Sequence, residues 1–356
     1  MKPINPLNVE REAGTAIRAF FDRLPAWQID HIEHEARPDP TGSRVDYIVE
    51  VRIGDKPIHL IIEVKSNGQP RSVRDAADQL HRYLRNSSVH GVPIVMAPYL
   101  SPRSREVCRE EHVGYLDFMG NALIAFDSVY IEREVPGRPE PERRVLRSLF
   151  KPKSARILRC LFEEPRQPWR TTALVLSAKV SAGLVSIVGA RLRELGWAEQ
   201  TERGLELTET SELLDSWVEN YEPPRGEEHR CYTSLHGSAL TDRLRTLSEA
   251  DGRVALASFS AAAWLAPHVR HPGTYFYADQ AGFDALTRVL DLSEAPKGAN
   301  VTILVPEEDG VLTDAKPVAN GLMGTSPLQT YLDLVHAGDR GAEGATLLRG
   351  LLDDRA

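Results

Sequence analysis

The chain has 356 residues, of which 42% are hydrophobic and 26% charged, and its formal net charge is −8. This length suggests two or three domains, and the acidic balance excludes a protein that binds nucleic acid over its whole surface. Cys108, Cys160 and Cys231 lack CxxC spacing, which favours reduced thiols over a disulfide framework or a zinc site. Because the N-terminus is polar and no apolar run approaches the roughly 18 residues of a membrane span, we expect a cytoplasmic protein with no membrane partner.

The chain opens with a predicted helix and three predicted strands. Residues 7–24 show the apolar spacing of an amphipathic helix, and residues 27–35 alternate in polarity as a first strand does. Residues 45–53 and 58–65 alternate more strictly, which indicates two further half-buried strands. The Gly-Asp pair at residues 54–55 favours a tight hairpin turn between them. The apolar face of the second strand consists of Val45, Tyr47, Val49, Val51 and Ile53.

This hairpin decides which residues face each other. With the Gly-Asp pair at the centre of the turn, Ile53 pairs with Lys56, and the numbers of paired residues sum to 109. Asp46 then lies opposite Glu63, and Lys65 projects from the same face as Glu63. Facing carboxylates repel each other. Because Mg²⁺ binds carboxylate oxygens, a bound Mg²⁺ would make the same arrangement favourable. A surface strand pair that carries these charges by chance is the alternative interpretation.

A second helix is predicted over residues 73–84, with Ser72 as its N-cap. Gln79 and Tyr83 are four residues apart and therefore share one face of this helix. They complete a pattern that consists of Asp46, Glu63-Val64-Lys65 and Gln79-x-x-x-Tyr83. The pattern resembles the PD-(D/E)XK nuclease superfamily, in its variant with a RecB-like QxxxY motif.

The resemblance implies an αβββαβ restriction-endonuclease-like domain over residues 1–140. It also implies Mg²⁺ or Mn²⁺ as cofactor, with the Asp46 and Glu63 carboxylates and the Val64 carbonyl as metal ligands. Many members of the superfamily bring a helix carboxylate to this site. Glu10 in the first helix therefore stays open between a further site carboxylate and a solvated charge.

The implied activity is hydrolysis of DNA phosphodiesters. In this assignment Lys65 orients or deprotonates the attacking water, or counters the developing negative charge. Gln79 and Tyr83 position the phosphate or a ligand water. These residues and the two carboxylates form the predicted catalytic set.

The remaining elements of the first domain follow at regular intervals. Residues 92–98 are a short apolar run that indicates a buried strand, and residues 101–111 favour a helix. Residues 122–134 predict a closing pair of strands. Gly120-Asn121 offers a second hairpin turn. Asp117 and Asn121 could be site residues, but turn chemistry is the favoured interpretation of both. A Pro-rich linker then closes the domain.

A basic stretch follows this linker. Between residues 146 and 193, ten basic residues face two acidic ones, which gives a net charge of +8. Such a local excess suits contact with a phosphate backbone, so DNA is the expected partner.

The same stretch predicts three helices and a hairpin. The helices cover residues 153–163, 173–179 and 184–195, and Thr171-Thr172 caps the second of them. Together with a β-wing over residues 196–208, this order resembles a winged helix-turn-helix over residues 145–222. Use of this fold only for protein docking or dimerisation is the alternative. The implied DNA contacts are Arg170, Thr171, Ser181, Ser186, Arg191, Arg193 and Arg203.

Residues 225–356 predict a C-terminal α+β domain with a helical end. Two segments near its end, Leu328-Gln329-x-Tyr331-Leu332-Asp333-Leu334 and Asp339-Arg340-Gly341-x-Glu343, resemble AbiEi-type proteins of type IV toxin–antitoxin systems. That resemblance implies transcriptional regulation and a toxin partner, and the winged helix-turn-helix adds a homodimer as a hypothesis. The charged residues interpreted as structural ion pairs rather than catalysts are Asp333, Asp339, Arg340 and Glu343.

Two functions therefore compete. The favoured hypothesis is an Mg²⁺-dependent deoxyribonuclease that acts in DNA processing or in defence against phage or plasmids. The alternative is an AbiEi-type transcriptional regulator or antitoxin whose nuclease-like domain is not catalytic. The intact set of site residues favours the nuclease, because a buried like-charge pair costs stability unless something requires it.

Overall fold

The computed structural model describes residues 6–34, 44–265, 273–318 and 321–354. The chain forms two compact units, residues 1–144 with 191–196, and residues 145–190 with 197–356. Each unit contains its own seven-stranded sheet together with helices. The predicted α/β multidomain class is therefore confirmed at this level.

The first unit is built around a sheet whose strands follow one another in chain order. Strands β3, β4 and β5 are parallel neighbours, and the remaining neighbours are antiparallel. Its first six elements have the predicted order αβββαβ, and the predicted end of the first strand at Glu35 lies outside the described residues. The elements are α1 (Pro6–Phe21), β1 (Trp27–His34), β2 (Tyr47–Ile53), β3 (Lys56–Val64), α2 (Pro70–Asn86), β4 (Val92–Ala97), α3 (Pro102–Glu110), β5 (Gly114–Asp117), β6 (Ala122–Phe126) and β7 (Val129–Arg133).

The predicted register of the β2–β3 hairpin is confirmed. Ile53 pairs with Lys56 and Tyr47 with Ile62, so paired numbers sum to 109 along the ladder. Gly54 occupies the turn with φ of +59°, a conformation that glycine adopts without steric cost. This register brings Asp46, just before β2, to the end of β3.

Helices cover both faces of this sheet. Helix α1 packs on the face that carries Val49 and Leu60, whereas α2 and α3 pack on the face that carries Ile48 and Ile61. The prediction that Val45 shares a face with Tyr47, Val49 and Val51 is wrong. Val45 packs in the hydrophobic cluster of α2, on the opposite face of the sheet. The cause is local: β2 begins only at residue 47, so its alternation does not extend back to Val45.

The predicted N-cap of α2 is also wrong. The helix begins at Pro70, with Gln69 in the extended N-cap conformation, and not after Ser72. Proline suits the first helical position because its φ is already helical and its missing N–H needs no partner there. Ser72 instead donates a hydrogen bond from Oγ to Asn67 Oδ1 at 2.8 Å.

The later elements begin with four consecutive helices, and short strands and helices follow. They are α4 (Glu140–Leu149), α5 (Pro152–Glu163), α6 (Thr171–Ala178), α7 (Ala182–Glu194), β8 (Ala198–Gln200), β9 (Leu205–Leu207), α8 (Thr210–Glu219), β10 (Gly226–Tyr232), α9 (Gly237–Leu244), a 3₁₀ turn (Glu249–Asp251), β11 (Val254–Leu256), α10 (Ser258–Leu265), β12 (Thr274–Ala278), α11 (Gln280–Val289), β13 (Ser293–Glu294), β14 (Val301–Pro306), α12 (Gly310–Thr313), β15 (Lys316–Pro317), β16 (Met323–Gly324), α13 (Pro327–Val335) and α14 (Asp339–Asp353).

Helices α6 and α7 meet at 114° across a three-residue turn. Lys179 ends α6 in the left-handed conformation, with φ of +52°. The prediction that Thr171 and Thr172 cap α6 is wrong: both lie inside the helix, and Arg170 is the N-cap. Within the described ranges no single helix is long and apolar enough to span a membrane, although α6 and α7 taken together as one broken span pass the same test of length and composition.

The sheet of the second unit is mixed, as expected for an α+β domain. Its strand order is β13-β10-β14-β12-β11-β16-β15, with parallel pairs at β12–β14 and β11–β16.

The predicted ion pairing of Asp333 is wrong. Its Oδ1 atom accepts hydrogen bonds from the Tyr221 and Tyr277 hydroxyls, each at 2.9 Å, and from Gln329 Nε2 at 2.5 Å.

The turn between β5 and β6 is held by one buried carboxylate. Asp117 is 1% exposed and accepts hydrogen bonds from Leu100 N, Asn121 N and Asn121 Nδ2 at 3.1, 2.9 and 2.7 Å. Burial raises the pKa of Asp117, and these hydrogen bonds oppose that rise. Turn chemistry therefore explains both residues, as the sequence indicated.

We predict that Asp117→Ala lowers the free energy of unfolding by about 2–4 kcal/mol, because three donors lose their acceptor in a buried site. Urea denaturation measures this change. Asp55→Asn, in the exposed β2–β3 turn, is the control and is expected to change the value by less than about 0.5 kcal/mol. An Asp117→Ala protein as stable as wild type would contradict the structural role of this carboxylate.

Candidate functional site

The predicted catalytic residues converge where β3 ends. Val64 N donates to Asp46 Oδ2 at 2.7 Å, which holds this carboxylate against the strand end. Lys65 N donates to Met96 O at 2.8 Å and so continues the parallel ladder with β4 by one residue. The Lys65 side chain therefore keeps the orientation that strand geometry gives it.

Three of the site side chains form a short chain of hydrogen bonds. Lys65 Nζ donates to Glu63 Oε1 at 2.9 Å and to Gln79 Oε1 at 3.3 Å. Gln79 Nε2 donates in turn to the main-chain oxygen of Arg44 at 2.9 Å. The Gln79 amide of α2 thus lies beside the Lys65 ammonium, and positioning of the phosphate or a ligand water by Gln79 stays a prediction.

Glu63 is the most perturbed group of this site. It is 5% exposed, and its Oε2 atom is buried with no hydrogen-bond partner among the described residues. Burial and, after it, the negative charge of Asp46 raise the pKa of Glu63 to about 7, although Lys65 and Gln79 act in the opposite direction. Lys65 offsets this repulsion only in part, and a proton on Glu63 or a bound cation would relieve the remainder.

The donor set fits a hard divalent cation. Mg²⁺ is commonly held by one or two carboxylates and keeps several waters, so two acids and a main-chain carbonyl are sufficient. In the described part of the chain, no three His, Cys, Asp or Glu side chains gather as a metal-holding group. The Oε2 atom of Glu10, which the sequence left open as a further site carboxylate, lies 3.7 Å from His34 Nε2.

Tyr83 occupies a different position from the polar residues. Its side chain is 2% exposed and belongs to the hydrophobic cluster between α2, α3 and the sheet, with Leu80 and Ile61. The ring packs the helix that carries Gln79 onto the sheet. Direct contact of Tyr83 with a phosphate stays a prediction.

The residues predicted to contact DNA differ in exposure. The exposed ones are Arg170, Thr171, Ser181, Ser186 and Arg203. Arg191 and Arg193 are half-buried, and Arg191 donates to Glu194 Oε2 at 2.6 Å. Ser181 uses its hydroxyl to accept a hydrogen bond from Leu184 N at 3.3 Å near the start of α7.

The sequence analysis missed two exposed apolar side chains on this helix pair. Leu176 on α6 is 77% exposed and Ile187 on α7 is 68% exposed. Both lie out of phase with the buried positions of their helices, such as Val185 and Val188 on α7. That break in periodicity was the available signal, because large apolar residues outside the buried stripe of a helix mark contact surfaces.

Similarity to known proteins covers mainly the C-terminal region. Residues 206–355 match the sequence model of a family of transcriptional regulators. The family is described as "Transcriptional regulator, AbiEi antitoxin, Type IV TA system", in agreement with the resemblance seen in the sequence. No curated protein matches the chain.

One solved structure, "Structure of EndoMS in apo form", resembles part of the chain. The sequence identity is 17% and the TM-score is 0.22, over 30% of this chain and 45% of that chain. The match thus spans less than half of that protein. A likeness this distant carries no argument about function.

We predict that Glu63→Gln changes how stability depends on pH. Because folding raises the pKa of Glu63 from 4.5 to about 7, the native state binds more protons than the unfolded state between these values. The contribution of Glu63 is therefore fully present below pH 4.5 and lost as the pH rises through 7. In metal-free buffer, Glu63→Gln should gain up to about 3 kcal/mol relative to wild type between pH 4.5 and pH 8.

Urea denaturation with EDTA measures the pH effect, and thermal unfolding with added Mg²⁺ tests the cation. Mg²⁺ should raise the melting temperature of wild type and leave that of Glu63→Gln unchanged. Parallel pH curves, together with equal Mg²⁺ responses of the two proteins, would contradict the assignment of Glu63 as a metal ligand.

Proposed function

We propose that the protein is a DNA-binding, Mg²⁺-dependent deoxyribonuclease. The observation that carries this proposal is the unpartnered Oε2 of Glu63, buried beside Asp46 and within reach of the Lys65–Gln79 pair. No packing requirement explains two acids and an ammonium at this strand end. Two acids that can hold a cation and an ammonium that can offset charge on a phosphate suit metal-dependent hydrolysis of a phosphodiester.

The chain's own residues would divide the work as follows. Asp46, Glu63 and the Val64 carbonyl would hold the cation, which supplies Lewis-acid polarisation of the phosphate and a more acidic bound water. Deprotonated Glu63 is the ligand form, so cation binding would compete with a proton near neutral pH. Lys65 would hold or accept a proton of the attacking water, or offset the charge that develops on the phosphate.

Gln79 would act through Lys65. Its Oε1 atom accepts from the ammonium while its Nε2 atom is fixed by Arg44 O, so the amide is oriented from both ends. An oriented amide limits the positions that the Lys65 ammonium occupies. Such positioning reduces the entropy that is lost when the reacting groups are brought into place.

The decisive experiment is cleavage of plasmid DNA and of short single- and double-stranded DNA with Mg²⁺, Mn²⁺ or EDTA. We expect metal-dependent cutting by wild type and a loss of at least about 100-fold in Asp46→Asn and in Lys65→Met. Asp78→Asn is the matched control, since this exposed acid on α2 precedes Gln79 and touches no site residue.

Equal cutting by wild type and both site variants would contradict the proposed site. Absence of cutting under every metal condition, combined with tight DNA binding, would support the second candidate function instead.

That second candidate is an AbiEi-type transcriptional regulator or antitoxin with a toxin partner. The family match at residues 206–355 favours it. The α5–β9 segment supports DNA binding in either case: a 114° helix pair with a tight turn and a following hairpin suits a winged helix-turn-helix, in which α7 enters the major groove.

The exposed residues narrow the proposed DNA surface. Arg170 precedes the N-terminus of α6, where unpaired N–H groups favour a phosphate. Arg203 lies exposed in the β8–β9 hairpin, where a wing would follow the backbone. Arg191 and Arg193, half-buried near the end of α7, are expected to contribute less than these two.

We predict that Arg170→Gln combined with Arg203→Gln reduces the slope of log affinity against log salt by about two, since each residue is assigned one phosphate. Fluorescence anisotropy on duplex DNA at several salt concentrations measures the slope. Arg230→Gln, an exposed change in β10, is the control. A slope unchanged by the double substitution would show that another surface binds DNA.

A further inference from the structure

A cavity of about 500 Å³ lies within the second unit and is not used by either proposed activity. It is bounded by the start of α5, the end of α8, the segment of residues 220–225 and the connection between β14 and α12. A space of this volume matches the size of small-molecule sites.

The floor of the cavity is polar and tightly built. Arg159 is 8% exposed and Gln329 is fully buried, and both line the cavity. Arg159 donates to Gln329 Oε1 and, at 3.0 Å, to Asp314 Oδ2, while Gln329 Nε2 donates to the Tyr221 hydroxyl at 2.8 Å. These contacts hold a guanidinium, an amide and a hydroxyl at one end of the space, and the Gln329 and Tyr221 donors are used within the network.

The walls are apolar and rigid. Phe150 and Trp217 stack with ring centroids 5.6 Å apart, and the Arg159 guanidinium lies over the Trp217 ring at 5.7 Å. Pro152 and Ala155, one turn apart on α5, continue this wall. Flat apolar surfaces of this kind accept a planar ring at small entropic cost, because the wall is already ordered.

The rim differs from the walls in charge. Arg147, Lys151 and Arg225 are exposed cations at the mouth, and Lys151 is also the N-cap of α5, where the helix dipole is positive. Three acids share the rim. Glu308 forms an ion pair with Arg156 at 2.5 Å, and Glu222 forms one with Arg225 at 3.5 Å. Glu307 lies on the far side of the rim, on the β14–α12 connection.

We propose that this cavity binds a small organic anion with a flat apolar body, of the size of a nucleoside monophosphate. The ring would lie in the apolar part of the cavity beside Pro152, with the stacked Phe150–Trp217 pair behind it, and polar ring substituents would point toward the Arg159 end. The anionic group would remain at the rim beside Arg147 and Lys151, where charge is hydrated at little cost. A phosphate or a carboxylate meets the same requirement.

The test is isothermal titration calorimetry and thermal unfolding of the full-length protein in EDTA, so that the candidate metal site does not hold a nucleotide phosphate. The probes are AMP, GMP and dTMP, indole-3-carboxylate and benzoate as aromatic carboxylates, and adenosine and inorganic phosphate as partial ligands. We expect at least one flat anion to bind with a dissociation constant below about 1 mM. Adenosine and phosphate alone should bind at least tenfold more weakly.

Variants assign any binding to the cavity. Lys151→Glu should weaken it at least tenfold by reversing a rim charge, and Ala155→Phe should abolish it by filling the space. Lys153→Glu is the matched control, since Lys153 is exposed on the same helix and does not line the cavity. Binding that is lost equally in Lys151→Glu and Lys153→Glu, or a panel with no binder below 1 mM, would overturn the proposal. Either result is independent of whether the protein cuts DNA.

Discussion

The mutual repulsion of Asp46 and Glu63 is the constraint on which the first unit depends. The hairpin register fixes their approach: a two-residue turn leaves no freedom to slip without moving every apolar residue to the wrong face. The surrounding contacts then offset the repulsion in part. Val64 N satisfies one oxygen of Asp46, and Lys65 satisfies one oxygen of Glu63. The second oxygen of Glu63 has no hydrogen-bond partner among the described residues, and in the proposed function it would bind the cation.

The sequence predicted the parts of this site that depend on local geometry. Strand alternation, turn length and helical spacing are short-range properties, so the facing carboxylates and the common face of Gln79 and Tyr83 could be predicted. The sequence assumed that this pair is buried, but how deeply Glu63 is buried, and therefore how far its pKa rises, could not be predicted. The burial results from α2 covering the end of β3, and the depth of that cover depends on how Leu80 and Tyr83 pack across the sheet.

The wrong predictions have two physical origins, a competing local signal in one case and long-range contacts in the other. A serine followed by an amphipathic run is a good N-cap signal, but Pro70 two residues earlier starts the helix more effectively. In the second unit, the sequence indicated that Asp333 belongs to a structural ion pair. Its actual partners, Tyr221 and Tyr277, lie 112 and 56 residues away along the chain, where no periodicity argument reaches. Burial raises the pKa of Asp333 to about 6, a further consequence of tertiary packing.

The two units contain different candidate functional features. The first gathers carboxylates, an ammonium and an amide at a strand end, an arrangement suited to phosphodiester chemistry. The second contains a sharply bent helix pair with an exposed face and a C-terminal region similar to a family of regulators. Its buried Arg159–Gln329 network joins α5, which precedes that helix pair, to α13 of the C-terminal region.

The central claim is that Asp46 and Glu63 form a cation site, and proton release on metal binding tests it most directly. Calorimetric titration of Mn²⁺ at pH 6.5, in two buffers with different ionisation enthalpies, measures the protons released. Because the pKa of Glu63 is raised to about 7, wild type should release most of one proton, and Glu63→Gln should release none. Mn²⁺ binding without proton release, or equal release by both proteins, would contradict the account.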